Sequence, residues 1–323
     1  MGDKLTPRIA IIGAGATGIS CANSLQARGH QPVIFEKSRG LGGRLATRRT
    51  PDGDTFDHGA QYVTARSPAF RHLLHEAIQS GAAGHWRPAL RDAPSSAEDD
   101  WIVGTPAMNA LIKPFALDLV IRYGTEISAI ERSTSGWQLR DSDHRAELFD
   151  ILISTLPAPQ AGRLFAGIPL IAPAIEQVKV APCWALMIAF QNPIDLGFDV
   201  QLSDTDDLAW IARDSSKPDR NAARDCWVVH ASAAWSERHL ELDREQAAGK
   251  LIEMLQRAFG CQLPDIAYAA AHRWRFARTI TPLGKPYICN DDSTLYVGGD
   301  WCLGARVECA FDSGRAIAEA LPF

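Results

Sequence analysis

Residues 9–37, IAIIGAGATGISCANSLQARGHQPVIFEK, constrain the fold of this chain more than any other segment. They spell out a strand, a glycine turn, a helix and a second strand that ends in an acid. The apolar run Ile9–Ile12 suits a buried parallel strand. Gly13, Gly15 and Gly18 then form G-x-G-x-x-G. The first glycine permits a tight turn, the second lets a pyrophosphate approach the backbone, and the third lets helix and strand pack closely. A helix over residues 16–28 would aim the amides of Ala16 and Thr17 and its positive dipole end at the phosphates. Gly29 ends that helix, residues 32–35 make the next strand, and Glu36 follows Gly13 by 23 residues. A carboxylate at that strand end can hold both hydroxyls of an adenosine ribose. A bare glycine motif carries little weight, but with strand, helix, strand and acid in order it describes a dinucleotide site. Which nucleotide it takes, NAD, NADP or FAD, the fingerprint leaves open.

The rest of the composition narrows the class. With 323 residues, 46% hydrophobic and 22% charged, the chain can bury two cores. A net charge of −5 and scattered arginines argue against nucleic acid or an anionic membrane as partners. No apolar run approaches the ~18 residues of a membrane span. The first residues carry no basic region followed by an apolar one, so a cytoplasmic protein is expected. MGDKLT matches a loose myristoylation pattern, which six residues do often by chance; it is discounted. None of the seven cysteines forms C-x-x-C, and free thiols in a reducing compartment are expected. His72 and His75 stand three apart in a stretch that reads as a helix, yet no carboxylate–histidine–cysteine set completes a metal site, so no metal is expected.

Along the chain, residues 68–81 read as a helix and 82–100 as a polar, proline-containing excursion. A helix is expected over 108–117, strands over 118–130 and 137–140, and a continuous apolar strand over 150–157. From residue 178 to 276 alternating segments at 184–190, 208–212 and 226–231 predict an antiparallel sheet, followed by an amphipathic helix over 243–259. A strand over 295–301 and a helix over Val307–Ala320 close the chain.

Two further signals point to a flavin. After Glu36 comes KSRGLGGRLATRR, then Phe56-Asp57-His58-Gly59-Ala60-Gln61-Tyr62; near the end comes YVGGDWCLGARVECAF. In these segments the chain resembles the FAD-dependent amine-oxidase-like flavoproteins, where a G-G-R loop follows the second strand and a D-x-G-A-Q segment passes beside the flavin ring. The resemblance implies an α/β fold: a Rossmann-like FAD-binding domain of the glutathione-reductase/p-hydroxybenzoate-hydroxylase type, with a second α+β domain on an antiparallel sheet. The expected divisions are 1–70, 104–175 and 277–323 for the first and 71–103 and 176–276 for the second. It further implies that Arg44 neutralises pyrophosphate charge and Gly43 lets the backbone pack there. Lys37, His58, Gly59, Ala60, Gln61 and Ile127 join the FAD contacts. Asp300 takes a ribityl hydroxyl, and the Val307 and Glu308 amides face the N1/C2 edge, where reduced flavin carries negative charge. FAD is expected to be bound non-covalently.

Ala209-Trp-Ile-Ala-Arg-Asp-Ser-Ser-Lys-Pro218, His272-Arg-Trp-Arg-Phe-Ala-Arg278, Gly59-Ala-Gln-Tyr-Val-Thr-Ala-Arg66 and Ser154-Thr-Leu-Pro-Ala-Pro-Gln-Ala161 are more specific. Here the chain looks like the bacterial renalase-type flavoproteins, over essentially its whole length. Two positions depart: His58 stands where an apolar residue is expected, and Cys309 where a glycine is. Membership implies an oxidase of 2- and 6-dihydro isomers of NAD(P)H that passes the electrons to dioxygen as hydrogen peroxide. Hydride transfer from such a donor needs geometry rather than a base, so no catalytic residue is expected. Tyr62, Val63, Thr64, Ala65 and Arg66, with Cys183 and Trp184, are the expected substrate contacts. One or two of the nine tryptophans should line the slot. An amine or polyamine oxidase, and a non-catalytic or redox-sensing FAD/NAD-binding protein, are the alternatives.

Overall fold

The computed structural model of the protein describes residues 6–91, 100–221 and 223–322. The fingerprint folds as its residues require. Ile9–Ile12 is a fully buried strand, Ala16–Ala27 a helix capped by Gly15, and Val33–Glu36 the next strand. The chain divides into two compact units. The first holds residues through Gly43, Ile112–Val180, and everything from Thr279 onward; the second holds Arg44–Leu111 and Ala181–Arg278.

The first unit is built on a six-stranded sheet. Its strand order is Tyr287–Cys289, Leu295–Gly298, Ile151–Ser154, Ile9–Ile12, Val33–Glu36, Val120–Tyr123. All neighbours are parallel except the first pair. The near-continuous apolar strands fit a sheet covered on both faces. A core of Ala10, Ile12, Leu152, Phe165, Leu295, Val297 and Trp301 packs against it, and Phe35, Trp137 and Phe149 extend that core to the antiparallel sheet of Ile127–Ser133, Gly136–Asp141 and Ala146–Phe149. The closing helix Val307–Ala320 lies hard against Ala16–Ala27, since a methyl on Gly314 would stand 2.3 Å from the Thr17 carbonyl oxygen.

The second unit is an antiparallel sheet in the order Val200–Leu202, Leu208–Arg213, Asp225–Ala231, Lys179–Phe190, Ile266–Thr281. Alternation along the strands separates two faces. Trp184, Leu186, Ile188 and Phe190, with Trp227 and Val229, meet Leu251, Leu255 and Phe259 of the helix Arg244–Phe259. That helix starts where the Asp243 carboxylate accepts from the Gln246 amide at 2.8 Å and stops at Gly260 in the left-handed region, φ +69°. Met187, Ala189, Cys226 and Val228 point the other way and pack on Phe56.

Three expectations change. Residues 108–117 form two 3₁₀ turns, Met108–Ile112 and Pro114–Ala116, rather than one α-helix, because Pro114 has no N–H to give to an α ladder. The stretch 118–130 is two strands, Val120–Tyr123 and Ile127–Ser133, broken at Gly124, φ +65°. The domain boundaries also shift, for residues 44–70 and 104–111 belong to the second unit. Phe56 enters that unit's core and Asp57 its buried ion cluster, which outweighs proximity in sequence to the glycine loop. Within the polar excursion, Ala83–His85 pairs with Ile102–Gly104; its residues 92–99 lie outside the described residues, as do residues 1–5 of the MGDKLT pattern.

Candidate active site

In the first unit the glycine turn is held by the acid it was expected to serve. The Ala14 amide donates to Glu36 Oε2 at 2.9 Å, and the Ser38 amide to Oε1 at 2.8 Å. Glu36 is buried, and its carboxylate is aimed by the backbone on either side. Gly13, at φ +105°, turns the chain, and its amide donates to the Phe35 carbonyl at 2.8 Å. A methyl on Gly18 would lie 2.0 Å from the Gly13 carbonyl oxygen, so only glycine lets the helix begin there. At Gly15 a methyl would meet nothing within 4 Å. The turn is open on the side from which a phosphate would come. Gly15 caps the helix without a side chain, leaving the first-turn amides of Ala16, Thr17 and Gly18 pointed out of the helix end. The loop returns beside the turn: the Gly42 amide donates to the Ala14 carbonyl at 2.9 Å, and Gly43 sits against Gly15.

The other first-unit candidates fall at strand and helix ends. Asp300 is buried in a 3₁₀ turn after the Leu295–Gly298 strand, with the Thr279 hydroxyl 3.5 Å from its carboxylate. Val307 and Glu308 open a helix with no side-chain cap, and the buried Glu308 carboxylate takes a hydrogen bond from Arg306 at 3.0 Å. Ile127 is a core residue beside Trp137, and Lys37 is an exposed side chain 4.0 Å from Glu126. The residues of this unit fit a dinucleotide: an open glycine cradle, an uncapped helix start and a carboxylate pre-aimed by two amides.

In the second unit the segment Arg44–Tyr62 closes on itself. The Ala60 amide donates to the Arg44 carbonyl at 2.8 Å, and a methyl on Gly59 would stand 2.0 Å from that same oxygen. One Arg44 guanidinium nitrogen donates to the Ala277 carbonyl at 3.0 Å. Gln61 is buried, with its amide nitrogen donating to the carbonyls of Asp57 and Gly59. Its side chain is thus used inside the loop, leaving backbone groups as the means of any cofactor contact at this position.

His58 fills its apolar position as a neutral ring. Burial lowers its pKa, against the opposing hydrogen bond to the Phe56 carbonyl. It stacks on Trp274, 5.1 Å between centroids, and takes His272 edge-on at 4.8 Å. Its carbonyl accepts from Trp274 Nε1 at 2.9 Å and His230 Nε2 at 3.2 Å. Burial pushes His230 and His272 down to about 4. At neutral pH all three imidazoles are uncharged.

Tyr62 lies flat on Trp101, 4.0 Å between centroids and 8° between planes, with Trp210 at 5.7 Å from both. Of the residues that follow, Val63 is spent on a bridge to Ile102, Thr64 and Ala65 are half-buried, and Arg66 is exposed. Trp184 is a correction. It is fully buried on the helix-covered face, its backbone amide bonded to Ser236 and its indole to the His239 carbonyl, so it is core rather than a slot residue. Cys183 alternates to the other face, with its thiol against the Ala231 carbonyl and pushed up to about 12 by burial.

A four-charge cluster lies beneath this loop. Lys217 Nζ meets Asp214 Oδ1 at 2.6 Å, Asp57 Oδ2 at 3.2 Å and Gln61 Oε1 at 3.3 Å. Arg220 donates to the same Asp57 oxygen at 2.5 Å, while Thr47 Oγ1 and the Met108 amide fill the other. All four charged side chains are buried. Burial alone would raise the Asp57 pKa, but Lys217 and Arg220 together hold it well below the usual carboxylate range. Lys217 also sits 5.2 Å over the Trp86 ring, which in turn touches Trp101. Sequence reading missed this cluster. Asp214 and Lys217 stand in a segment that carries the resemblance, yet nothing local announces that Asp57 lies across from it.

Residues 77–322 match the family described as flavin containing amine oxidoreductase, and residues 11–77 match an NAD(P)-binding Rossmann-like domain. The chain belongs to the flavin-containing amine oxidoreductases. Within that family it is renalase-like: it is 22% identical to renalase of Mus musculus, over 93% of this chain and 96% of that protein. A shorter likeness, 38% over 69 residues, links 21% of the chain to 15% of the 15-cis-phytoene desaturase of Synechococcus elongatus. Among solved structures, cyclohexylamine oxidase from Brevibacterium oxydans IH-35A superposes with a TM-score of 0.76 at 12% identity. A putative protoporphyrinogen oxidase from Exiguobacterium sp. 255-15 does so with 0.74 at 13%; both cover 98% of this chain and 98% of the other. These two likenesses establish the fold. The family makes the protein a flavin-dependent oxidoreductase acting on a small molecule. Among the described residues no helix is long and apolar enough to cross a membrane.

Proposed function

We propose that the protein is an FAD-dependent oxidase of dihydronicotinamides, the 2- and 6-dihydro isomers of NAD(P)H, rather than of amines. In the balanced reaction the dihydronicotinamide gives up a hydride and becomes aromatic. Dioxygen gains that hydride's electron pair and two protons, one from solvent, to leave as hydrogen peroxide. FAD, bound non-covalently, supplies the two-electron acceptor that links these halves.

On this reading Gly13, Gly15, Gly18 and the first-turn amides hold the pyrophosphate and Glu36 the adenosine ribose. Asp300, Val307 and Glu308 serve the flavin end, and Arg44 with residues 58–61 carries the flavin contacts implied by the resemblance. Tyr62, Trp274 and the three imidazoles face the substrate.

One observation carries the choice of substrate. The aromatic and imidazole groups around His58 are uncharged, and Asp57 beside them is already compensated by Lys217 and Arg220. An amine oxidase that steers its substrate by charge needs an uncompensated carboxylate beside the ammonium, and Asp57 is not one. A neutral heteroaromatic ring asks only for flat apolar contact and a few hydrogen bonds. Anaerobic mixing of the yellow protein with the two dihydro isomers, and separately with cyclohexylamine and polyamines, tests the reading. Rapid bleaching near ~450 nm by the isomers alone, with peroxide formed on admitting air, is expected. Bleaching by amines alone would sink it.

A further inference from the structure

The Lys217 ammonium is fully buried, has three protons and finds three acceptors: Asp214, Asp57 and Gln61. Two of the three belong to one short loop, residues 57–61. Charge balance does not explain all of this. Without Lys217 and Asp214, the Asp57–Arg220 pair would remain neutral and hydrogen-bonded, with Thr47 and Met108 still on the other carboxylate oxygen. What Lys217 alone supplies is the donor to Gln61 Oε1. That contact turns the carboxamide so that its nitrogen reaches the carbonyls of Asp57 and Gly59, winding the loop backbone around the Gln61 side chain. Arg220 donates to Asp57 and to the Pro218 carbonyl.

We propose that Lys217 is the positioning residue of the 57–61 loop, acting through the Gln61 carboxamide to set the backbone that meets the flavin. This rests on the reading of residues 58–61 as flavin contacts. Lys217 touches neither substrate nor cofactor. It fixes which loop groups do, in the way outer partners orient direct ligands. The other ties of the loop, the Ala60 amide to Arg44 and the His58 carbonyl to Trp274 and His230, leave the Gln61 carboxamide unset: its Oε1 without a donor is a buried acceptor left unmade, and the side chain turns to find one.

The experiment separates positioning from charge balance. Lys217→Met alone strands a buried carboxylate and should lower both thermal stability and FAD affinity. The pair Lys217→Met/Asp214→Asn restores neutrality while keeping a side-chain oxygen for the Asp57 amide, which donates to Asp214 Oδ2 at 3.3 Å, and should recover the melting temperature. Its FAD dissociation constant should nevertheless stay raised by about tenfold, with a shifted flavin midpoint potential and visible band. Gln61→Leu, which leaves all four charges in place, should reproduce those flavin changes, and the triple variant should be no worse than the pair. Wild-type affinity, potential and spectrum in the charge-balanced pair would overturn the proposal, as would a Gln61→Leu protein with unaltered flavin. A wild-type protein that takes up no FAD overturns the cofactor reading and this proposal with it. Wild-type FAD binding with unchanged variants overturns the proposal alone.

Discussion

Glu36 and Ala14, separated by 22 residues, are joined by an amide-to-carboxylate hydrogen bond of 2.9 Å across the mouth of the glycine turn. The bond orients the carboxylate before any nucleotide arrives, and the Ser38 amide at 2.8 Å holds its second oxygen. Replacing Glu36 by alanine removes an acceptor from two backbone amides and, on the proposed reading, the partner of a ribose. FAD affinity should fall by about tenfold to a hundredfold, the worth of one or two hydrogen bonds to a charged group. Fluorescence titration of apoprotein with FAD measures it, and Glu36→Gln should lose less.

Gly18 and Gly314 are set by contact rather than by flexibility. A methyl at either would press on a backbone carbonyl, 2.0 Å from Gly13 O and 2.3 Å from Thr17 O. Neither oxygen belongs to a side chain that can swing aside. Gly18→Ala and Gly314→Ala should each cost about 3 kcal/mol or more, because at Gly18 the helix Ala16–Ala27 must lift off its own glycine turn and at Gly314 the helices Ala16–Ala27 and Val307–Ala320 must separate. Chemical denaturation reads this directly, and Gly15→Ala, where the space is open, is the control that should fold normally.

The Tyr62–Trp101 stack is expected to serve stability and substrate together. Trp101→Ala removes a buried ring that touches Tyr62, Trp86 and Trp210, and should cost about 3–5 kcal/mol. Tyr62→Phe keeps the stack and should fold like wild type. If Tyr62 contacts substrate through its hydroxyl, that variant raises KM with little change in kcat, and steady-state kinetics with the dihydronicotinamide isomers checks it.

Stability should fall as the medium is acidified, in two stages. His230 and His272 have folded pKa values of about 4, below the ordinary histidine value of about 6.5. The unfolded chain therefore binds protons that the native state refuses between those values. Their contribution is fully present above pH ~6.5 and is lost as the pH falls toward ~4. Partial solvation keeps each slope below the limiting ~1.4 kcal/mol per pH unit. Asp57, held below the carboxylate range by Lys217 and Arg220, adds a second loss at still lower pH. Guanidinium midpoints at pH 7, 5.5 and 4.5 should decline for wild type and decline less for His272→Gln. A flat wild-type profile would show the rings to be ordinarily solvated.

Much of the first unit was legible because its constraints are local. Strand, glycine turn, helix and acid follow one another within 29 residues, and hydrophobic period and turn chemistry need no distant partner. The antiparallel sheet was legible for the same reason, through alternation along each strand. Where local pattern misled, a single residue decided: Pro114 broke the expected helix, and Gly124 the expected strand. Trp184 misled differently, since adjacency to Cys183 says nothing about which face of the sheet a side chain takes.

The sequence by itself determined the glycine turn and the place of its acid, because backbone geometry at Gly13 and Gly18 admits no other residue and Glu36 ends the next strand. Only the tertiary structure decided how the 57–61 loop is held. Asp57 and Lys217 are 160 residues apart, and a charge reads as solvated until folding removes it from water. Once buried, each must find its opposite. That requirement drew two carboxylates far apart in sequence, a lysine and an arginine into one cluster and spent Gln61 in binding them to the loop.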